Sequence, residues 1–543
     1  MKKLVDWYKE GTPFLWLCAG AIALSVILVL GIVGFIGYQA LPHFWPSETH
    51  IISIKTNDKP LKVVAEFYEE KSKVSTQGPY KDILLKTGNR DIFGLDFRWV
   101  KDSQILESTL ADNYATFERR EWGNLYGIPL QVVTTATGEP VTGDVWKNLQ
   151  TEIERTTNIH NKLEEIQHVD IGAINYSMEQ LRLRKRLLEL EGKLTPEAVE
   201  KAKKDKAALN ADYEKLSAKL LELNRDLDKF SLKVKVLSET GEKDISINIA
   251  DIVRSYMPNQ IGIGEKISIY IDRIREFIFA NPREANTEGG VFPAIFGTVM
   301  MVFLMTIFVT PFGILAAVYL REYSKQNILT RIIRISVVNL AGVPSIVYGV
   351  FGLGLFVYIL GGEIDALFYP EALPSPTFGT PGILWASITL ALLTLPVVIV
   401  TTEEGLARIP RAFKEGSLAL GATQSETLWK VILPVSTPAM ITGMILAIAR
   451  AAGEVAPLML VGVVKLAPSL PLDGNYPFLH MDRKFMHLGF HIYDVGFQSP
   501  NVEAARPLVF ATAFLLILII IFLNLFAFTL RNRLREKYKS VAG

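Results

Sequence analysis

The sequence predicts an α-helical membrane protein of six transmembrane helices, with a large α+β domain inserted after the first. Three observations carry that expectation. Six apolar runs each reach the roughly 20 residues needed to cross a bilayer. Lys and Arg segregate between alternate connections. The 543 residues are 49% hydrophobic yet 21% charged, too apolar for a typical soluble protein and too charged for a purely membrane one. Mean hydropathy is +0.25.

The runs are 14–38, 291–320, 335–360, 383–402, 437–464 and 508–530. The first is too long for a signal-peptide core and ends in Tyr38-Gln-Ala-Leu-Pro-His43, a poor cleavage site, so it reads as retained. Basic residues are held on the cytoplasmic side during insertion. Lys2, Lys3 and Lys9 precede the first run, and Arg321, Lys325, Arg331 and Arg334 join the second to the third. Arg408, Arg411, Lys414 and Lys430 lie in 403–436, and a basic tail follows the last run. The link 361–381 carries Glu363, Asp365 and Glu371 with no Lys or Arg. The expected organisation is a cytoplasmic N-terminus and first span (1–38), an extracytoplasmic domain (39–290), a five-span core (291–530) and a cytoplasmic tail (531–543).

Within 39–290, residues 50–141 read as β-rich, from short apolar runs such as Leu61-Lys-Val-Val-Ala-Glu-Phe67 set between Gly, Pro, Asn and Asp. Residues 146–230 read as a charged helical hairpin broken at Gly192-Lys-Leu-Thr-Pro196, where Thr195 can cap and Pro196 can open the second arm. Leu209, Tyr213, Leu216, Leu220, Leu223, Leu227 and Phe230 recur at four- and three-residue steps, the seam of a coiled hairpin. Either the first arm closes that seam, through Leu149, Ile153, Leu163 and Ile166, or a soluble partner does; closure within the chain is the simpler reading. A mixed strand and loop region is expected up to Gly290.

Net charge is +1, from 57 basic and 56 acidic residues, so no global field recruits nucleic acid. The single cysteine, Cys18, permits neither an intrachain disulfide nor a multi-cysteine metal site. No Gly-x4-Gly-Lys-Ser/Thr phosphate loop occurs, which places any ATP hydrolysis on a separate chain and leaves this one without an expected catalytic residue or cofactor. Gly352-Leu-Gly354 lies in a span and Gly262-Ile-Gly264 is isolated, which favours helix packing and a turn over dinucleotide binding. His480, His487 and His491 cluster in one loop, the last two at zinc-like spacing. Gly489 and Phe490 between them weaken a helix there, so metal binding is the minor reading.

The stretch EGSLALGATQSETLWKVILP, 415–434, is polar yet helical in pattern and sits between two apolar runs. Leu406, Ile409, Phe413, Gly416 and Leu420 form one face, and Pro410 opens a short helix over 411–420. Gly421 stops it, 423–426 is a capping box for a second short helix, and Leu433-Pro434 ends that one. Two stubby helices at an angle form either a lever that presses into a motor subunit or an elbow resting on lipid. In the fifth run Arg450 and Glu454, four apart, share a helix face. A charge at mid-span costs about 2.5 to 3.5 kcal/mol, so the two either pair to fix packing or line a wet path.

Glu415, Gly416, Ser417, Gly421, Val431, Leu433 and Pro434 resemble the coupling loop of ABC importer permeases, whose pattern is Glu-Ala-Ala, three residues, Gly, nine residues, Ile, any residue, Leu-Pro. Gly416 and Ser417 stand for the two alanines and Val431 for Ile. The segments Pro311-Phe-Gly-Ile-Leu-Ala-Ala-Val-Tyr-Leu-Arg-Glu-Tyr323, Leu340-Ala-Gly-Val-Pro-Ser-Ile-Val-Tyr-Gly349 and Ala449-Arg-Ala-Ala-Gly-Glu-Val-Ala-Pro-Leu458 are similar to the phosphate importer permeases. The resemblance covers roughly 291–530 and the first span, and it implies the type I ABC importer permease fold. It further implies a bacterial inner-membrane location with both termini cytoplasmic, and three kinds of partner: two copies of an ATPase, a homologous sister permease and an extracytoplasmic phosphate-binding protein. Arg450 and Glu454 match an Arg and a Glu of the family and are implied to line the translocation path. The domain 39–290 departs from the compact family pattern and resembles extended members. Import of another oxyanion, molybdate or sulfate, is the alternative, opposed by the segments around Pro344 and Arg450. A membrane-anchored sensor or assembly protein is opposed by six spans and a coupling loop with no signalling domain at either cytoplasmic end.

Overall fold

A computed structural model describes residues 11–56, 60–75, 78–238, 241–499 and 502–542; Lys2, Lys3 and Lys9 lie outside them. Among the described residues six helices are long and apolar enough to cross a membrane. The first, α1 (Thr12–Ala40), is apolar on every side, and its large side chains from Leu15 to Ile32 are more than half exposed. Such a helix is covered by lipid or by another chain. Its C-terminal end meets the last span, where Phe35 and Phe510 contact edge to face with ring centroids 6.4 Å apart.

The described residues of the inserted domain hold two five-stranded antiparallel sheets and a two-stranded one at Pro282–Arg283 and Glu288–Gly289. Strands β1 (Thr49–Ile54), β2 (Leu61–Ser75), β3 (Gly78–Lys86), β4 (Phe97–Lys101) and β5 (Ile105–Leu110) lie in the order β4-β3-β2-β1-β5. Alternation along β2 sends Val63 and Ala65 into one core with Ile52, Ile83 and Leu85, and Val64 to the opposite face beside Tyr126. The second sheet is built from β6 (Ala115–Arg119) and β7 (Asn124–Thr134) together with strands that follow the helical hairpin. That hairpin comprises α2 (Val145–Glu165), which continues through a π-turn (Ile166–Asp170) into α3 (Ile171–Leu190), and α4 (Pro196–Leu227). Thr195 caps α4 by accepting from the Ala198 amide.

Beyond the hairpin, β8 (Phe230–Ser238), β9 (Gly241–Asn248) and β10 (Ile252–Tyr256) complete the sheet in the order β10-β6-β7-β8-β9. The hairpin is thus inserted between two hydrogen-bonded neighbours, β7 and β8, an arrangement not expected from sequence. Phe230 opens β8 rather than extending the seam, because from Leu232 the chain alternates Leu-Lys-Val-Lys-Val with Leu232, Val234 and Val236 buried. Closure of the seam comes from within the chain at its base: Ile159 and Leu163 of α2 pack with Leu220, Leu223 and Leu227. Leu149 and Ile153 instead join the second sheet's core. Residues 263–279, expected as strand and loop, form α5 (Ile263–Phe279); Tyr270, Ile274, Phe277 and Ile278 make a helical stripe against Phe44 and the last span.

The membrane core follows as α6 (Phe292–Val318), α7 (Ile328–Leu340), α8 (Ser345–Phe351), a π-segment (Gly352–Gly361), α9 (Gly362–Phe368), α10 (Ile383–Ala407), α11 (Arg411–Ala419), α12 (Gln424–Thr427), a π-turn (Leu428–Ile432), α13 (Leu433–Gly453), α14 (Leu488–Tyr493) and α15 (Val502–Ala542). Core packing joins α6, α10 and α13 through Met301, Met305, Leu390, Val398 and Ala447. Two span boundaries differ from expectation. The third span is Ser345–Phe368: the chain breaks at 341–344, where Pro344 disfavours helix in the residue before it. The fifth is Gln424–Gly453, so it begins earlier and ends eleven residues sooner than expected; Glu454 is extended at ψ 129°. The expected helix end at Leu433-Pro434 is absent, because the π-turn Leu428–Ile432 re-spaces the carbonyls ahead of Pro434 and the helix runs on.

Helices α10 and α13 approach closely at two glycines. A Cβ on Gly443 would lie 2.1 Å from the Thr401 hydroxyl, and one on Gly405 would lie 2.2 Å from the Ala439 Cβ, the small-residue packing that membrane helices use. Gly443→Val is expected to destabilise the core by about 1–3 kcal/mol, seen as a lower thermal midpoint of the full chain in detergent. A midpoint unchanged from that of the parent would refute the close approach.

Candidate functional site

The elbow between the fourth and fifth spans starts where α10 ends at Ala407. Pro410, extended at ψ 138°, occupies the N-cap of α11 rather than its first turn. Gly421 leaves the helix at φ +89°, a left-handed conformation that glycine adopts without steric cost. Thr423 and Glu426 then form the reciprocal capping box that opens α12. Ser417 Oγ lies 2.9 Å from Thr427 Oγ1, so a hydroxyl in one of the two alanine positions ties the short helices together. Gly416 has open space around a built Cβ, and Glu415 is exposed.

The elbow is anchored rather than loose. Lys414 pairs with Glu322 at 2.6 Å, at the cytoplasm-expected end of the second span, and Arg334 of α7 pairs with Glu403 of α10 at 2.6 Å. Beneath it Leu406, Leu428, Ile432 and Val318 form a buried cluster with Leu433 and Ile409 packed against them. Leu406 and Ile409 therefore face inward, while Leu420 is 92% exposed and Phe413 and Leu418 are also exposed. A rigid, pinned pair of helices thus presents an uncovered apolar edge. The two tethers were not read from sequence, since each joins residues far apart in the chain.

Arg450 occupies the last turn of α13 and Glu454 follows the helix end, so they do not share a helix face. The turn of the chain nonetheless brings Arg450 Nε to 3.8 Å from Glu454 Oε1, with the arginine side chain 35% exposed. Among the described residues the Arg450 guanidinium donates no hydrogen bond. The Tyr348 hydroxyl donates to the Leu340 carbonyl at 2.6 Å, bridging the break between α7 and α8.

The three histidines are not one cluster. His480 contacts Asp473 at 2.9 Å, whereas His487, which caps α14 by accepting from the Gly489 amide, and His491 within that helix are both buried; the helix forms despite Gly489. Burial lowers their pKa to about 3 and about 4, so both are neutral at physiological pH. Among the described residues no group of three or more His, Cys, Asp or Glu is placed to hold a metal.

Sequence reasoning also missed a network of charges where the inserted domain meets the membrane core. Glu118 of β6 accepts from Arg273 of α5 at 2.9 Å and pairs with Arg254 of β10. Arg254 and Arg283 both reach Glu276, at 3.1 and 2.6 Å. Arg273 also donates to the Phe44 carbonyl beyond α1, and Arg506 of α15 pairs with Glu69 of β2 at 3.0 Å.

Six spans around a packed core and a pinned elbow between two of them define a membrane transport permease. The chain belongs to the family of binding-protein-dependent transport system inner membrane components, whose family model matches residues 309–536. A probable phosphate transport system permease protein PstA of Methanocaldococcus jannaschii is 32% identical over 257 residues, 47% of this chain and 79% of that protein. A probable ABC transporter permease protein, YqgI of Bacillus subtilis, is 30% identical over 236 residues, 42% of this chain and 74% of that one. The phosphate transport system permease protein PstA of Mycobacterium leprae is 36% identical over 188 residues, 34% and 56% of the two chains. Among solved structures, the MetNI methionine ABC transporter in an inward-facing conformation is matched over 45% of this chain and 94% of that chain, at 19% identity and a TM-score of 0.33.

Proposed function

We propose that this chain is the permease subunit of an ATP-binding-cassette importer for inorganic phosphate. It forms half of the translocation path beside a sister permease, receives phosphate from an extracytoplasmic binding protein and takes its motion from two copies of a separate ATPase. The observation that carries the reading is the elbow: α11 and α12 are fixed by Lys414–Glu322 and Ser417–Thr427 yet leave Leu420 bare, as a lever seated in another protein requires. An elbow resting on lipid needs no such pinning. The basic residues beside the elbow and flanking the first and last spans support a cytoplasmic elbow and cytoplasmic termini, with the domain 39–290 outside, facing the binding protein or the sister permease. The relatives named as phosphate permeases support phosphate over molybdate or sulfate.

The test is disulfide crosslinking in the assembled transporter. Ala412 and Ala419 are exposed on α11, and Cys18 is the one native thiol to remove. With Cys18→Ser, a cysteine at either position should crosslink to a cysteine on the ATPase surface, stall phosphate uptake and release it on reduction. No crosslink at either position would sink the coupling assignment. Uptake of molybdate or sulfate in place of phosphate would move the substrate.

A further inference from the structure

A cavity of about 1270 Å³ opens where the inserted domain, α5 and the ends of α1 and α15 meet. Its walls differ in chemistry. One is apolar and aromatic, with Tyr38, Phe44, Trp45, Phe277, Leu508 and Phe510. The other carries the charged network, in which nearly every group is already engaged: Glu118 and Glu276 hold Arg254, Arg273 and Arg283, and Arg90 pairs with Glu284. Besides His43, which burial and then the neighbouring Lys86 and Arg273 hold neutral at a pKa of about 3, two half-buried charged lining groups remain. Among the described residues, neither the Lys86 ammonium at the end of β3 nor the Glu288 carboxyl just before α6 enters an ion pair or a side-chain hydrogen bond.

The cavity floor is made by the ends of two candidate membrane spans, Phe14–Phe44 and Ala505–Arg533, with Tyr38 and Trp45 near the C-terminal end of the first, aromatic residues of the kind enriched where membrane helices meet lipid headgroups. We propose that this cavity binds a phospholipid whose headgroup carries both a phosphodiester and a primary ammonium. Lys86 takes the phosphodiester, Glu288 takes the ammonium, and the acyl chains lie along the apolar wall between α1 and α15. One free cation beside a free carboxyl suits a zwitterion. It suits inorganic phosphate poorly, because the arginines among the described lining residues are consumed by carboxylates and leave Lys86 alone to meet the charge of an anion.

The same geometry sets a pH dependence. Burial, and then the neighbouring Glu284, push the Glu288 carboxyl up to about 8; Glu118 acts in the same direction, while Lys86 and Arg283 oppose. A bound ammonium favours the carboxylate, so binding below pH 8 must release a proton. Affinity therefore rises with pH and levels off above 8, by about twentyfold between pH 6.5 and 8.5.

Native mass spectrometry of the full-length chain tests this, with titrations of phosphatidylethanolamine, phosphatidylglycerol and inorganic phosphate. One phosphatidylethanolamine per chain should be retained in preference to phosphatidylglycerol and should resist displacement by inorganic phosphate. Lys86→Gln and Glu288→Gln should each weaken its retention at least about tenfold, and Glu288→Gln should flatten the pH profile; Lys86→Arg and Glu288→Asp should keep the lipid. Should a glutamine variant fail to fold, the pH profile of the parent chain still decides. Equal retention of the two lipids, displacement by inorganic phosphate, a flat parent profile or unaltered binding in both folded glutamine variants would each overturn the proposal.

Discussion

Arg450→Gln is expected to lower phosphate uptake about ten- to a hundredfold, the loss of one charge-assisted contact of roughly 1.5–3 kcal/mol, while assembly and basal ATP hydrolysis persist. The expectation rests on a guanidinium that lies in the last turn of a membrane span, 35% exposed, with Glu454 no closer than 3.8 Å. A pair that existed to fix packing would be closer and shielded. On the path role we propose for it, the planar donors would meet a passing oxyanion, and Glu454 would restrain the side chain and temper its charge so that the anion is not trapped. Lysine at 450 keeps the charge but not the fork, and should restore uptake only in part. Uptake measured in cells depending on this transporter, beside copurification of the ATPase, separates the readings. Loss of assembly would assign the pair to packing, and unimpaired uptake would remove it from both roles.

What the sequence disclosed and what it hid follow from the range of the forces involved. A span announces itself by an unbroken apolar run, and the capping box at Thr423 and Glu426 needs only three residues of spacing, so six spans and the elbow were legible. The break at Pro344 was legible in principle, as a proline after Gly342 within an apolar run, but the run's hydropathy concealed it. Pro434 misled in the opposite direction: a proline reads as a helix end unless a π-turn precedes it, and such a turn leaves no compositional mark. Neither the pairing of β7 with β8 across nearly a hundred intervening residues nor the meeting of Glu118, Arg254 and Arg273 has a local signature, since both depend on where distant strands come to rest. At the candidate path, the spacing of Arg450 and Glu454 correctly suggested proximity for the wrong reason, because the helix ends between them.

The charged network makes the domain–membrane junction sensitive to one carboxylate. Burial alone would raise the Glu118 pKa, but Arg273 and Arg254 beside it hold the group at about 2, against an ordinary 4.5. With the folded value below the unfolded one, the stabilisation from this carboxylate is fully present above about pH 4.5 and is lost as pH falls toward 2. The shift corresponds to roughly 3 kcal/mol. Glu118→Gln should therefore cost about 3–5 kcal/mol locally, because it leaves the half-buried Arg273 guanidinium without its counter-charge and Arg254 with Glu276 alone. Hydrogen exchange of the full chain at pH 7 reads this directly: amide protection in β6 and β10 should fall by about two to three orders of magnitude, with the membrane core little affected. Adding Arg273→Met to Glu118→Gln should recover part of the loss, since neighbours in one network are not additive. Equal protection in Glu118→Gln and the parent chain would show that the network does not hold the junction. A double variant losing the full sum of the single losses would show that Glu118 and Arg273 act separately.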